Sequence, residues 1–73
     1  MKCFHFSMGL PASKLIEYYR GHVKNVVVTT DSGLRLQLPI NVFRPYVTDA
    51  GIYGAFLVYV DDNHKLIRLD KRD

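Results

Sequence analysis

Very little in this chain could staple it together from outside its core. It carries one cysteine, Cys3, so no disulfide forms within it. Neither Cys3 nor the histidines His5, His22 and His64 fall at the spacing of a structural zinc site. Tryptophan is absent, which leaves the large-aromatic packing to four phenylalanines and five tyrosines. Long apolar runs are missing too. The longest, Ile52 to Val60, spans nine residues and stops at two aspartates, whereas a membrane-crossing helix needs about 20. A membrane is therefore not an expected partner. The first eight residues alternate apolar and polar side chains and so lack the continuous core of a secretion signal. A lone cysteine fits a reducing compartment, so the cytoplasm is the expected location.

Charge of one sign is also scarce. Ten basic and seven acidic residues give a net charge of +3, a sign compatible with polyanions but too small to establish them. The one local run, Arg68 to Asp73, is interrupted by acids and reads as a solvated end, frayed over about residues 70–73. At 73 residues the chain holds one domain, residues 1–73. A domain this small buries only about 60% of its unfolded surface. Its stability must come from dense packing, for which the 48% apolar content is favourable, or from self-association as a homodimer.

Phe4, Phe6 and Met8 alternate with Cys3, His5 and Ser7, the period of a half-buried strand. Gly9 breaks it, and Pro11 suits the first turn of a helix. Ala12, Leu15, Ile16 and Tyr19 form one apolar stripe on a helix running to Arg20, with Gly21 as its left-handed cap. That helix is too short to stand alone and must dock on a sheet. Val23 to Thr30 is largely β-branched, Asp31-Ser32-Gly33 signals a turn, and Leu34 to Ile40 alternates cleanly, which together predict a hairpin. Pro39 ends the pairing or lies at an edge. Asn41 to Asp49 has no sustained period and reads as a loop with one helical turn over Asn41 to Arg44. Ile52 to Val60 is apolar on both faces, with Gly54 marking a bulge or bend. Asp61 to His64 turns the chain into a last strand, Lys65 to Leu69.

The expected class is α+β, in the order β-α-β-β-β-β, with a five-stranded antiparallel sheet and one short helix after the first strand. The sheet is either open and covered on one face, or a small SH3-like barrel with the helix as plug. Gly54 and the two-faced strand favour strong curling.

Several segments carry a resemblance: Tyr18-Tyr19-Arg20-Gly21, Lys24 to Val28, Phe43-Arg44-Pro45-Tyr46-Val47-Thr48, Gly51-Ile52-Tyr53-Gly54-Ala55-Phe56 and Asp61 to Lys65. Through them the chain resembles a family of short uncharacterised proteobacterial proteins catalogued as a domain of unknown function. The resemblance covers nearly the whole chain and implies a bacterial, folded domain. It implies an arginine in many relatives where this chain has Ala55. It transfers no activity.

No catalytic set emerges from the residues. Cys3 and His5 share a strand face but lack a third group to orient the histidine. Asp61 and Asp62 are adjacent in a turn, where aspartate commonly caps the backbone. Asp49, Asp61, Asp62, Asn63 and the dispersed histidines lack the alternating ligands of a calcium loop. No glycine-rich loop opens a helix to cradle phosphate. The expectation is a non-enzymatic binding or interaction module without a cofactor, whose partner is another protein or a second copy. A protein partner would use an exposed sheet edge or Tyr18 and Tyr46. The alternative partner is single-stranded RNA or DNA. Its candidate surface is Lys24, Arg35, Gln37, Arg44, Tyr46, Tyr53 and Arg68, with Asn25, Thr29 and Tyr59 nearby; cations would meet phosphates and tyrosines would stack on bases. Arg44 has a competing structural reading, an ion pair to Asp49 or Asp61 that locks its loop.

Overall fold

The computed structural model describes residues 1–21 and 24–72. The hairpin start at Val23, the metal-ligand role weighed for His22 and the end of the tail at Asp73 fall outside the described residues. Among the described residues the order is β1 (Lys2–Pro11), α1 (Ala12–Tyr19), β2 (Asn25–Thr29), β3 (Arg35–Pro39), a 3-10 helix (Ile40–Tyr46), β4 (Gly51–Val60) and β5 (Leu66–Lys71). The α+β class and the short helix after the first strand are as the sequence predicts.

The strands do not make one sheet. Antiparallel ladders join β1, β4 and β5 in that order, and β2 pairs only with β3. The expectation of one strongly curled sheet or an SH3-like barrel is therefore corrected: among the described residues no ladder closes the three strands onto the two. The edge of β1 is met instead by the hairpin turn, where the Asp31 N–H donates to the His5 carbonyl at 2.8 Å. Gly54 does not curl β4 by a bulge, because the β1–β4 register runs unbroken through Met8 and Gly54. The irregularity falls at Tyr59/Val60, on the ladder to β5. The two-faced apolar pattern of β4 has a simpler cause: it is the central strand of three.

Period two decides what each layer buries. Phe6, Ile52, Phe56, Val58 and Val60 on the inner face of the three-stranded sheet meet Val26, Val28, Leu36 and Leu38 of the hairpin in one core. Phe56 lies at its aromatic centre. Phe6 stacks on it at 5.5 Å, and Phe43 and Tyr46 meet it edge-on at 5.5 and 5.4 Å. The helix is no plug. Leu15 alone of its residues is buried, while Ile16 and Tyr19 of the expected apolar stripe remain 51% and 46% exposed.

Element ends follow from the backbone. β1 continues through Gly9 to Pro11, which caps α1 rather than entering its first turn. The free N–H of Ala12 donates to the Ala50 carbonyl at 2.9 Å, so the helix start is tied to the entry of β4. Gly21 takes a φ of 87° and closes the helix as expected. β5 runs to Lys71, with Leu57↔Asp70 and Phe56↔Lys71 paired, so residues 70–71 lie inside the ladder and not in a frayed tail.

Two turns rest on side chains. Thr30 Oγ1 accepts the Leu34 N–H at 3.1 Å and shares a hydrogen bond with Ser32 Oγ at 2.9 Å. Asp61 Oδ1 accepts the N–H groups of Asn63 and Lys65 at 2.8 and 2.9 Å. The Lys65 N–H does most to hold the Asp61 carboxyl below the usual range, with the Asn63 N–H adding to it. A carboxyl with its folded pKa depressed stabilises the fold fully above its unfolded value, about 4, and ceases to as pH falls through the folded value. Asp61→Asn is therefore expected to flatten the acid limb of stability below about pH 4. Urea midpoints of both proteins along that limb check this, and parallel curves would contradict it.

Tyr46 ties the 3-10 helix to the three-stranded sheet through its hydroxyl, which donates to the Leu69 carbonyl at 3.1 Å. Tyr46→Phe keeps the ring on Phe56 and removes only that bond. The expected loss is about 1 kcal/mol in a denaturant titration.

Candidate groove at the end of the helix

The sequence candidates divide among three places. Arg35 and Gln37 stand exposed on the outer face of the hairpin, opposite Thr29 and Val27 of β2. Tyr53 and Arg68 lie on β4 and β5, on the outer face of the other sheet. Tyr46 is partly buried, with its ring packed edge-on against Phe56 and its hydroxyl on the Leu69 carbonyl. The single basic, tyrosine-bearing sheet face is thus not formed, because the two outer faces turn away from a shared core.

Lys24 and Arg44 do come together. They line an open groove of about 550 Å³ with Tyr18, Tyr19, Asn25, Pro39, Ile40 and Asn41. Its geometry follows from three local choices. The left-handed Gly21 ends α1 just after the two tyrosines. The Ile40 N–H donates to the Lys24 carbonyl at 2.9 Å, one further rung of the hairpin that fixes Lys24 beside the start of the 3-10 helix. In that helix side chains three apart eclipse. Ile40 and Phe43 are buried with Tyr46 partly so, and Asn41 and Arg44 face out together. The seven-residue 3-10 helix is the feature that sequence reading as a loop with one turn misses. Its signal was the spacing of Ile40, Phe43 and Tyr46. Tyr19, assigned by pattern to the docked stripe, and Asn41, read as part of the loop, are groove residues missed.

Charge pairing separates the cations. Among the described residues the ion pairs are the N-terminus with Asp62 at 4.0 Å and Arg68 with Asp70 at 2.9 Å. Arg68 also sits 4.6 Å over the Tyr59 ring. Tyr59 first and Asp70 second push its pKa up, so its contacts are spent within its own sheet. Arg44 forms no ion pair with Asp49 or Asp61; the structural reading of that arginine is corrected. Lys24, Arg35 and Arg44 have no carboxylate partner among the described residues.

Cys3 is an exposed free thiol that lines a second, smaller hollow with Phe4, His5, Asp31 and Ser32. No group of three or more metal-binding side chains occurs among the described residues. No described helix is long and apolar enough to cross a membrane.

Fold and groove together define a small two-layer α+β domain with a cationic, tyrosine-lined recess at the end of its helix. The chain belongs to the family described as Protein of unknown function (DUF2835), whose pattern matches residues 2–72. No curated protein and no solved structure matches it.

Proposed function

We propose that the protein is a small non-enzymatic binding module of the bacterial cytoplasm that receives an anionic partner in the groove between α1 and the 3-10 helix. One observation carries this reading: Lys24 and Arg44 flank the same recess and neither is matched by a carboxylate among the described residues. Unpaired cations beside a concave surface attract anions, and the guanidinium offers a planar two-pronged donor to phosphate or carboxylate. The tyrosines and the Asn25 and Asn41 amides add polar and apolar contacts around that charge. An exposed single thiol is in keeping with a reducing compartment.

Pyrophosphate is the simplest probe. In a titration followed by amide chemical shifts, the expected movers are Lys24, Asn25, Asn41 and Arg44. Lys24→Ala with Arg44→Ala is expected to abolish the response. Shifts confined to the outer face of β1, β4 and β5 would sink the assignment.

A second reading has its own observation. Ile16 and Tyr19 leave an apolar strip on α1, which a second copy of the chain would bury as a homodimer. Sedimentation showing a dimer that Ile16→Glu dissociates would favour it, and a monomer at high concentration would end it.

A further inference from the structure

We infer that the anionic partner is a single-stranded nucleic acid whose backbone runs from the groove across the outer face of the hairpin, from Lys24 and Arg44 to Arg35. This deepens the groove reading and rests on it. Asn25 belongs to both surfaces: it lines the groove and begins the exposed row of β2. The register places Asn25 opposite Pro39, Val27 opposite Gln37 and Thr29 opposite Arg35. Four residue steps along β2 cover about 13 Å, so cations stand at both ends of the track with amide and hydroxyl groups between. Among the described residues, the groove lining and this face include no acidic side chain.

The composition of the track favours nucleic acid over an acidic peptide. A peptide carboxylate would be satisfied by Lys24 and Arg44 alone. The half-exposed Tyr19 ring supplies a surface on which a base stacks, a contact that tolerates any sequence. Asn25 and Gln37 present both donors and acceptors, which suit the edges of unpaired bases. Val27, 54% exposed between those two amides, gives a flat apolar contact for a ring. A duplex is the poorer fit, since stacking on Tyr19 requires an unpaired base.

Fluorescence anisotropy with a labelled uridine octanucleotide tests the inference, with a glutamate octapeptide as the second probe. Three phosphate contacts give a slope of about −2 in log K against log salt, about a twentyfold loss between about 50 and about 200 mM. Arg35→Ala is expected to reduce that slope by about 0.7. Tyr19→Ala is expected to weaken binding by roughly fivefold or more. Both positions are exposed, and circular dichroism checks that the variants fold. If Arg44→Ala weakens octanucleotide binding and Arg35→Ala does not, the track over the hairpin is overturned and the groove stands. If the glutamate peptide binds through Arg44 and the octanucleotide does not bind at low salt, nucleic acid is overturned and the groove stands. If neither probe binds, both readings fall.

Discussion

Phe56→Ala is expected to leave the protein unfolded at room temperature. Removing a fully buried phenylalanine costs about 3–5 kcal/mol through lost burial and the cavity left behind. A single core in a domain below about 70–80 residues supplies little more than that, about 3–5 kcal/mol. Here the ring is fully buried and three aromatic side chains lean on it: Phe6, Phe43 and Tyr46. Those three come from β1 and the 3-10 helix, so the cavity would open between elements and not inside one. Collapse around it would have to move both. Far-ultraviolet circular dichroism and a urea titration provide the check. A cooperative transition within about 1 kcal/mol of the parent would show that the aromatic cluster is not the organising centre claimed for it.

Gly51→Ala is expected to be nearly as damaging, by a different route. Gly51 opens β4 with a φ of 125°, a conformation that side chains rarely adopt. A Cβ there would run into the Leu10 carbonyl oxygen and come within 2.8 Å of the Ala12 nitrogen and the Pro11 carbonyl carbon. All three are backbone atoms where β1 passes into α1, so no side chain can swing aside. Backbone strain and overpacking together give a loss of at least about 3 kcal/mol. Gly9 is the control. A Cβ at Gly9 would touch the Tyr53 ring at 3.6 Å, an ordinary contact. Gly9→Ala is expected to change stability by less than about 1 kcal/mol. Equal effects at the two glycines would refute the steric account.

The same contrast shows what pattern could and could not reveal. Alternation in Phe4-Phe6-Met8 and Leu34-Leu36-Leu38 assigned those residues to the core side correctly, because period two reports which face is buried. It is silent on which strands share hydrogen bonds. The division into three and two strands depends on backbone pairing, with β4 laddered along its whole length to β1 and β2 laddered to β3, and neither pairing has a signature in side-chain type. Gly54 illustrates the ambiguity. A glycine inside an apolar strand is equally consistent with a bulge and with an unbroken strand at positive φ, and the continuous pairing with β1 at a φ of 139° shows the second. At the candidate site, Lys24 and Arg44 were legible as basic candidates, the first within a β-branched run and the second in a loop where an ion pair to Asp49 or Asp61 competed. Their meeting was not, since it rests on one backbone bond from Ile40 and on a 3-10 helix whose inward residues lie three apart. Arg68 shows the reverse: a cation of the right type, held by a neighbour two residues along its own strand.

The Tyr46 hydroxyl has one more consequence. The Arg72 N–H donates to the Ala55 carbonyl at 2.8 Å, which sets the alternation of the β4–β5 ladder. It leaves the amides and carbonyls of Leu69 and Lys71 pointing away from β4. Such a row is a template on which a strand from another chain can grow. Tyr46 occupies one acceptor of that row, at Leu69, so an incoming strand would find that rung already taken. The phenol therefore covers one rung of that edge as well as fastening a helix. Tyr46→Phe frees that rung, and the two roles separate by concentration: a folding defect is the same at every dilution, whereas templated growth is not.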